Sequence, residues 1–317
     1  MTKSIFIDGA AGTTGLEITQ RLSGRSEFTL IALDEARRKD VSARREAMND
    51  ADFVILCLPD EAVNDAAAMV TSAHTAIIDA SSVNRVSAGW TYGFPELNAA
   101  QREAIAAAKR VSNPGCYPTG FLALLAPLVA AGMLPGDWPY TVNALSGYSG
   151  GGKAMIARFQ EAGNIAARGY GYDLAHKHLP EMQKYAGLSH PPLFAPTVVN
   201  AFRGMIAEIP LPLAVMPGAA QADNLRLALS RHYAGSPIIK VQDAVMPAEL
   251  LMLNGVEGRD DLQIYVAASN DGQSARLIAM LDNLGKGASG AAVQNLNIMA
   301  GLEETAGLRL MALNDDA

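Results

Sequence analysis

The residue best suited to covalent chemistry is Cys116, which lies in the segment Ser112–Gly120 directly before an apolar helical pattern. Pro114 and Gly115 predict a tight turn there, and Pro118 suits a first helical turn, where no backbone donor is needed. A helix N-terminus presents unpaired N–H groups and a partial positive charge, and both favour the reactive thiolate. These residues alone leave two interpretations open, a nucleophile or an inert thiol.

A second polar cluster contains His176 and His178, followed by Pro180 and Glu181 at the start of a predicted helix. Histidine is the commonest general acid–base because its pKa is near neutrality, and thiol catalysis needs such a partner. No third ligand with the usual spacing accompanies the pair, so we expect no metal site.

Two glycine-rich segments are candidates for binding phosphate. The first, Gly9–Gly15, lies between a predicted strand at 4–8 and a predicted helix at 16–22, which is the context of a dinucleotide-binding turn. The second, Ser146–Lys153, combines glycines with hydroxyls and a lysine, and both a phosphate cradle and a flexible connector remain open. The candidate cofactor ligands in the first turn are Gly9, Gly12, Thr13, Thr14 and Gly15.

The residues after the second predicted strand bear on the choice of cofactor. Asp34 suits the ribose hydroxyls of NAD, whereas Arg37 and Arg38 suit the additional phosphate of NADP. Solvated surface charge is the alternative interpretation of the arginines. We favour NADP, because an arginine fork matches a phosphate geometrically.

Alternating strands and helices predict a parallel sheet covered on both faces in the first part of the chain. A predicted helix at 117–133 follows, which Pro127 should kink or split. Extended segments then predict an α+β domain, and the closing helix should pack back on the first domain. The predicted strands are 4–8, 28–33, 52–58, 75–79, 140–145, 197–201, 204–211, 238–241 and 262–268, and the predicted helices are 16–22, 61–70, 98–109, 117–133, 219–232, 276–284 and 288–302.

Composition limits the classes of function. The 317 residues suggest two domains, and a net charge of −7 argues against nucleic acid or an anionic membrane as the main partner. Two cysteines give no disulfide framework, and Cys57, in an apolar run, reads as a buried thiol. Without a signal peptide or a membrane-length apolar run, we expect a cytoplasmic protein, in which only residues 314–317 look loose.

Taken together, these motifs resemble those of N-acetyl-gamma-glutamyl-phosphate reductases of the shorter type, over essentially the whole chain. The cysteine segment and the His-Lys-His-Leu-Pro-Glu segment are the most specific. Lys153 departs from the arginine of many relatives, which makes anion binding by its side chain less certain. The segments that carry the resemblance are Gly9–Gly15, Arg37–Asp40, Ser112–Thr119, Ser146–Lys153, His176–Glu181 and Gly290–Asn297.

The resemblance implies NADPH-dependent reduction of N-acetyl-L-glutamyl 5-phosphate to the 5-semialdehyde and inorganic phosphate, in arginine biosynthesis. The reaction would pass through a thioester on Cys116. The implied fold is α/β, with a Rossmann-like parallel-sheet NADP-binding domain at 1–112 and 286–317. An α+β catalytic and oligomerisation domain would occupy 113–285, and the protein would form a homodimer or homotetramer, with Phe194–Leu213 as a possible interface.

The same resemblance implies roles for individual residues. His178 would be the acid–base, with the two histidines open to exchange, while His176 and Glu181 would orient it or contact substrate. Asn295 would approach the nicotinamide. The remaining implied substrate ligands are Arg85, Ser149, Gly150 and Tyr170.

Two rival functions remain open at this stage. One is a reductase of the same design that acts on aspartyl phosphate, as in aspartate-semialdehyde dehydrogenases. The other is a redox-sensing or NADP-sensing protein without turnover, which would keep the glycine turn but would not need the histidine segment.

Overall fold

The computed structural model describes residues 2–252 and 258–311, which fall into two compact units. The first unit comprises Met1–Pro95, Ala100–Pro114 and Ala288–Leu308, and the second comprises Glu96–Ala99, Gly115–Gly287 and Arg309–Ala317. Within the described ranges, no helix has the length and apolar character needed to cross a membrane. The tail expected to be loose, 314–317, lies outside the described residues.

The first unit contains a six-stranded sheet in which every strand pair is parallel. Its strands are β1 (Lys3–Asp8), β2 (Phe28–Ile31), β3 (Phe53–Leu56), β4 (Ala76–Asp79), β5 (Thr91–Tyr92) and β6 (Arg110–Ser112). The order is β2-β1-β3-β4-β6-β5, so the direction of strand addition reverses between β1 and β3. In open parallel sheets, ligands bind beyond the carboxyl ends of the strands at such a reversal.

Helices cover both faces of this sheet because its strands are apolar on both sides. Ile5 and Ile7 of β1 belong to one core cluster, whereas Phe6 between them belongs to the cluster on the opposite face. This alternation follows the two-residue period of a strand. The first four helices are α1 (Thr13–Leu22), α2 (Val41–Asp50), α3 (Asp60–Met69) and α4 (Gln101–Ala107).

The second unit contains a mixed seven-stranded sheet, so the expected α/β class, a parallel-sheet domain joined to an α+β domain, is confirmed. The sheet is accompanied by helices α5 (Cys116–Ala130), α6 (Gly152–Ala162), α7 (Leu179–Tyr185) and α8 (Ala222–His232). Helix α5 packs on the sheet and against α7 and α8. The strands, in sheet order, are β11 (Ile239–Val241), β12 (Leu262–Ala268), β13 (Ala275–Leu281), β10 (Met205–Leu211), β7 (Thr141–Gly147), β9 (Leu193–Val199) and β8 (Ala167–Gly169).

The helix predicted at 276–284 is wrong, because most of this segment forms strand β13. The strand lies between β12 and β10 and pairs with both. All of its residues except Arg276 are buried, so it lacks the alternation of polar and apolar residues that marks a half-buried strand. Its Leu, Ala and Met residues have high helix propensity, and pairing on both edges overrides that preference.

Of the two outcomes predicted for Pro127, the split of the helix is wrong, because Cys116–Ala130 forms one helix with the proline inside it. Proline has no N–H to donate to the carbonyl four residues earlier, which here is Ala123. The hydroxyl of Tyr233 donates to that carbonyl at 2.8 Å. A side chain from outside the helix therefore satisfies the acceptor that proline leaves unpaired.

The closing helix, α9 (Gly290–Met299), belongs to the first unit, where it packs against α1 and α4. Val293 and Leu296 are fully buried in the same core cluster as Ile5. Segments distant in sequence thus complete one core, and this core positions Asn295 within the first unit.

Candidate active site

Cys116 is the first residue of α5, and Gly115 is its N-cap, with no side chain capping the helix. Cys116 is partly exposed, whereas every residue from Tyr117 to Leu128 is buried. The nucleophile candidate thus stands at the start of a core helix and remains accessible. The N–H groups of the first turn can stabilise an anion there.

The other thiol, Cys57, is unsuited to nucleophilic chemistry. Burial raises its pKa to about 12, and the nearby carboxylates of Asp79 and Asp8 add to that shift. Both cysteines are free rather than disulfide-bonded. Cys57 as a residue is half-buried rather than buried, but the raised pKa agrees with its interpretation as an inert thiol.

The two histidines form a contacting pair with ring centroids 4.7 Å apart. The backbone N–H of His178 donates to Nδ1 of His176 at 3.1 Å. A backbone N–H can only donate, so Nδ1 must accept, and the neutral ring of His176 carries its proton on Nε2. Protonating Nδ1 would break this bond. Within the pair, His176 is therefore suited to donate a hydrogen bond rather than to accept a proton.

Aromatic residues enclose the histidines next to the nucleophile. The ring of Tyr117, the residue after Cys116, lies 6.2 Å from His176 and 5.9 Å from His178. The rings of Tyr170 and Phe194 lie 5.6 and 5.0 Å from His176. The second unit thus gathers the predicted residues of the histidine segment around the start of α5.

Two tyrosine hydroxyls interact electrostatically with Cys116. The hydroxyl of Tyr170 donates to that of Tyr117 at 3.4 Å. Burial raises the pKa of both phenols, and negative charge on the sulfur of Cys116 raises each of them further. Both hydroxyls therefore stay protonated at neutral pH, near enough to the sulfur to interact with its charge.

Glu181 fixes the turn that leads into the nucleophile. Its side chain is buried in α7, and its carboxylate accepts a hydrogen bond from the backbone N–H of Gly115 at 3.2 Å. The side chain predicted to orient a histidine or contact substrate thus contacts the residue before Cys116. His178 is the N-cap of the same helix.

The second glycine segment forms a 3₁₀ turn, Tyr148–Gly151, that leads into α6. Ser149 is buried, and its hydroxyl accepts a hydrogen bond from Nδ2 of Asn283 at 3.0 Å. Gly150 is exposed. The part of this loop that a ligand can reach is therefore the backbone at Gly150 rather than the hydroxyl of Ser149.

In the first unit, the glycine turn after β1 fits a dinucleotide. Gly9 has φ +89°, and a Cβ there would lie 2.3 Å from the carbonyl oxygen of Cys57, so only glycine fits. Gly12 is the N-cap of α1, and no side chain caps that helix. The backbone N–H groups of Thr13, Thr14 and Gly15 thus lie in the first turn, where a helix binds phosphate.

The two arginines after β2 are on the surface. Arg37 pairs with Glu46 at 3.4 Å and Arg38 with Glu35 at 2.9 Å, and both side chains are about half exposed. Asp34 accepts a hydrogen bond from the backbone N–H of Arg37 at 2.8 Å. The carboxylate of Asp34 thus caps a turn. The two guanidinium groups form weak, exposed ion pairs, and a phosphate could replace the glutamates as their partner.

Asn295 and Arg85 meet at Asn113 in the first unit. Nδ2 of Asn295 donates to Oδ1 of Asn113 at 3.1 Å and to the carbonyl of Gly93 at 2.9 Å. Oδ1 of Asn295 is buried and has no hydrogen-bond partner in the described part of the chain. Buried carbonyls are rarely left unpaired, so this atom fits a donor such as a carboxamide.

The guanidinium of Arg85 is buried in the first unit, and its Nε donates to the carbonyl of Asn113 at 3.0 Å. This places a fixed positive charge beyond the carboxyl end of β4. Across residues 2–252 and 258–311, no group of three His, Cys, Asp or Glu side chains could hold a metal ion.

Sequence reasoning missed three residues that organise the site, Tyr117, Asn113 and Asn283. Asn113 and Tyr117 belong to the cysteine segment, and their closeness to Cys116 in sequence could have identified them. Asn283 follows strand β13, and the wrong assignment of that segment as helix hid it. In a strand assignment, Asn283 would have been a polar residue just past a strand end, where ligand sites gather.

Comparison with protein families identifies both parts of the chain. Residues 4–108 match the profile described as "Semialdehyde dehydrogenase, NAD binding domain". Residues 116–283 match "Semialdehyde dehydrogenase, dimerisation domain". The two matches cover most of both units.

Among curated relatives, N-acetyl-gamma-glutamyl-phosphate reductase from Trichormus variabilis is 46% identical, covering 96% of this chain and 98% of the relative. N-acetyl-gamma-glutamyl-phosphate reductase 2 from Pseudomonas putida is 47% identical, covering 95% and 97%. The solved aspartate semialdehyde dehydrogenase II from Vibrio cholerae, complexed with ASA, has a TM-score of 0.70 at 19% identity, covering 95% of this chain and 99% of that chain. At that identity the structural likeness shows the fold alone.

We predict that iodoacetamide alkylates Cys116 and spares Cys57 in the folded protein at neutral pH. With a pKa of about 12, Cys57 has a thiolate fraction of roughly one in 10⁵ at pH 7, and this fraction rises as pH approaches the pKa. Peptide mass mapping over time should show at least about hundredfold slower modification of Cys57. Cys116→Ser should remove the fast phase, and comparable rates at both sites would contradict the assignment.

Proposed function

Since the chain belongs to the N-acetyl-gamma-glutamyl-phosphate reductases of the semialdehyde dehydrogenase family, we propose that it reduces N-acetyl-L-glutamyl 5-phosphate to the 5-semialdehyde. NADPH is the reductant, and inorganic phosphate is the second product. The observation that carries the proposal is the position of Cys116, accessible at the uncapped start of α5 beside the histidine pair. This is the arrangement that acyl transfer to a thiol requires.

In the first step, the thiolate of Cys116 attacks the acyl carbon of the substrate. A carbon–sulfur bond forms, the bond from that carbon to the phosphate oxygen breaks, and phosphate leaves. The N–H groups at the start of α5 stabilise the oxyanion that develops during the attack. The buried helix and the bond from Gly115 to Glu181 hold the sulfur in place, so little reorganisation is needed.

The proton that the reaction consumes passes through His178 to the departing phosphate. The aldehyde itself needs no net proton, because the thiohemiacetal collapses to it by breaking the carbon–sulfur bond and releasing the thiolate of Cys116. Nδ1 of His176 accepts the N–H of His178, and this bond disfavours a second proton on the ring of His176. His176 instead presents an N–H donor at Nε2, which suits a substrate oxygen. Within the second unit, the backbone at Gly150 supplies an anion ligand for phosphate or carboxylate groups, and the hydroxyl of Tyr170 adds a donor. Within the first unit, the buried guanidinium of Arg85 is a further candidate anion ligand.

The cofactor is NADP, held by the first unit. When bound, the reduced nicotinamide supplies the hydride that converts the thioester to the thiohemiacetal. The turn at Gly9–Gly15 receives the pyrophosphate, the forks of Arg37 and Arg38 receive the additional phosphate, and Oδ1 of Asn295 accepts from the carboxamide. We accordingly propose that 1–112 and 286–317 serve the cofactor and 113–285 serve substrate and assembly.

We place this chemistry in the cytoplasm. The proposed nucleophile must not be consumed in a disulfide, and reducing compartments keep thiols reduced. Recovery of the protein from a periplasmic or membrane fraction would contradict the location.

We predict phosphate-dependent reduction of NADP by the purified protein with N-acetyl-L-glutamate 5-semialdehyde, followed as absorbance of NADPH. Aspartate semialdehyde should give at least about tenfold lower kcat/KM, and NADH should be the poorer cofactor in the reverse direction. Activity with aspartate semialdehyde alone would replace the proposed substrate. A preference for NADH would defeat the role of Arg37 and Arg38, and no turnover with either aldehyde would leave a binding protein.

We predict that Cys116→Ser abolishes turnover but still binds NADP, because a hydroxyl is a far poorer nucleophile at neutral pH.

His178→Ala should lower kcat roughly 10²-fold or more, as loss of acid–base catalysis does. His176→Ala should act mainly on the KM of the semialdehyde. The exposed His190 provides a matched control, His190→Ala, with unchanged kinetics. A larger loss of kcat in His176→Ala would exchange the two roles.

We propose that the protein assembles through the outer face of β7 and β9, as a dimer or a dimer of dimers. These strands pair in parallel, and they expose apolar side chains, Leu145 at 43% and Leu193 at 53%. Ala195 on β9 is also exposed. This face lies in the part that matches a dimerisation domain and includes the start of the Phe194–Leu213 stretch.

We predict a homodimer or homotetramer in sedimentation at micromolar concentration, which Leu145→Asp together with Leu193→Asp converts to a smaller species. Two charges buried at an interface without partners destabilise it strongly. Val215→Asp places a charge at an exposed apolar residue on a different segment and serves as the control. An assembly that resists the paired substitution would contradict the proposed surface.

A further inference from the structure

We propose that Asn283 is a positioning residue that holds the loop at Ser149 and Gly150 in its substrate-binding shape. This role rests on the proposed function, because it assumes that the backbone at Gly150 binds an anionic group of the substrate. Asn283 is itself buried, so it acts through the loop rather than by touching substrate.

The hydrogen bonds of Asn283 define the orientation of its amide. The backbone N–H of Gly204 donates to Oδ1 at 2.8 Å, and because an N–H can only donate, this atom must be the oxygen. Nδ2 then faces Ser149 and donates to its hydroxyl oxygen at 3.0 Å. One side chain therefore connects the loop to the segment before β10.

The backbone that carries Asn283 is also fixed. Oδ1 of Asp282 accepts the backbone N–H groups of Leu284 at 2.8 Å and Gly285 at 3.2 Å, which closes a tight turn after β13. The guanidinium of Arg203 pairs with the carboxylate of Asp282 at 2.6 Å. Asn283 thus projects from a rigid turn and provides a fixed support for the loop.

The loop rests directly on this support. The backbone N–H of Ser149 donates to the carbonyl of Phe202 at 3.0 Å, and a Cβ at Gly150 would lie 3.2 Å from Nδ2 of Asn283. Gly150 therefore approaches the amide closely on one side and is exposed on the other. Ser149 and Asn283 set how far the backbone at Gly150 stands from the interior.

Ser146 connects this loop to the nucleophile's surroundings. Its hydroxyl oxygen lies 3.8 Å from the Cβ position at Gly150 and donates to the carbonyl of Gly147 at 3.2 Å. The same side chain interacts with the phenol of Tyr117, the residue after Cys116, and lowers its pKa against the larger effect of burial. A displacement at Gly150 therefore changes the distance between a candidate anion ligand and the catalytic cluster. Small displacements of this kind have large kinetic effects.

The test is a double-mutant cycle on Ser149→Ala and Asn283→Ala in the phosphate-dependent assay. Each single variant should raise the KM for phosphate or for the semialdehyde roughly tenfold, with kcat within about threefold and the KM for NADP within about twofold. Because both single variants remove the hydrogen bond between the two side chains, the KM of the double variant should rise no further than that of Asn283→Ala alone, about tenfold. A KM increase of about a hundredfold in the double variant, the product of the two single increases, would overturn the proposal.

Ile264→Val provides the control for general destabilisation. Ile264 is fully buried in β12, and loss of one methyl group there lowers Tm without touching the loop. The proposal requires unchanged KM values in this variant. An increase in the KM for phosphate or semialdehyde that follows Tm across all variants, the control included, would show a purely structural role and overturn the proposal.

If Asn283→Ala does not fold, Gly150→Ala takes its place, since it puts a methyl group against Nδ2 of Asn283. It should raise the same KM values as Ser149→Ala, and unchanged values in both would overturn the proposal.

The wild-type protein, assayed in parallel, distinguishes failure of the proposed function from failure of the role of Asn283. An inactive wild type refutes the proposed function, whereas an active wild type with unaffected variants refutes only the role of Asn283.

Discussion

The hydrogen bond from the backbone of Gly115 to the carboxylate of Glu181 joins the turn before the nucleophile to helix α7. The same short helix has His178 as its N-cap, so one element carries the proposed proton shuttle and the group that fixes the turn. Helix α5 is buried from Tyr117 to Leu128 and cannot move without disrupting the core. The position of Cys116 relative to the histidines is therefore a property of core packing rather than of a flexible loop.

The two thiols show how environment decides chemistry. Neither Cys57 nor Cys116 is in a disulfide and both residues are half-buried, but the thiol of Cys57 is desolvated beside two carboxylates, which raises its pKa to about 12. The other stands partly exposed at an uncapped helix start. The same principle distinguishes the two histidines, because a single backbone N–H fixes the tautomer of His176. Reactivity here follows from which polar backbone groups each side chain meets.

Buried polar side chains at strand ends support both units. Asn295 and Arg85 meet at Asn113 beyond the parallel sheet, and Asp282 and Asn283 stabilise the turn after β13 in the mixed sheet. Asn295, Asp282 and Asn283 each make at least two hydrogen bonds. Most of them hold backbone segments in place, and in this way the interior of each sheet determines the shape of the loops at its edge.

The sequence alone determined the fold class and the alternating pattern of the first unit, and it selected Cys116, His176 and His178 as candidate site residues, because glycine turns, strand periodicity and the cysteine and histidine segments are local signals. It could not identify β13, whose apolar residues are buried on both faces and lack alternation. It also could not reveal the carbonyl partner that lets Pro127 remain within α5, or the tautomer of His176. Only the tertiary structure decided these features, because each depends on a hydrogen-bond partner or a neighbouring strand that folding brings into place.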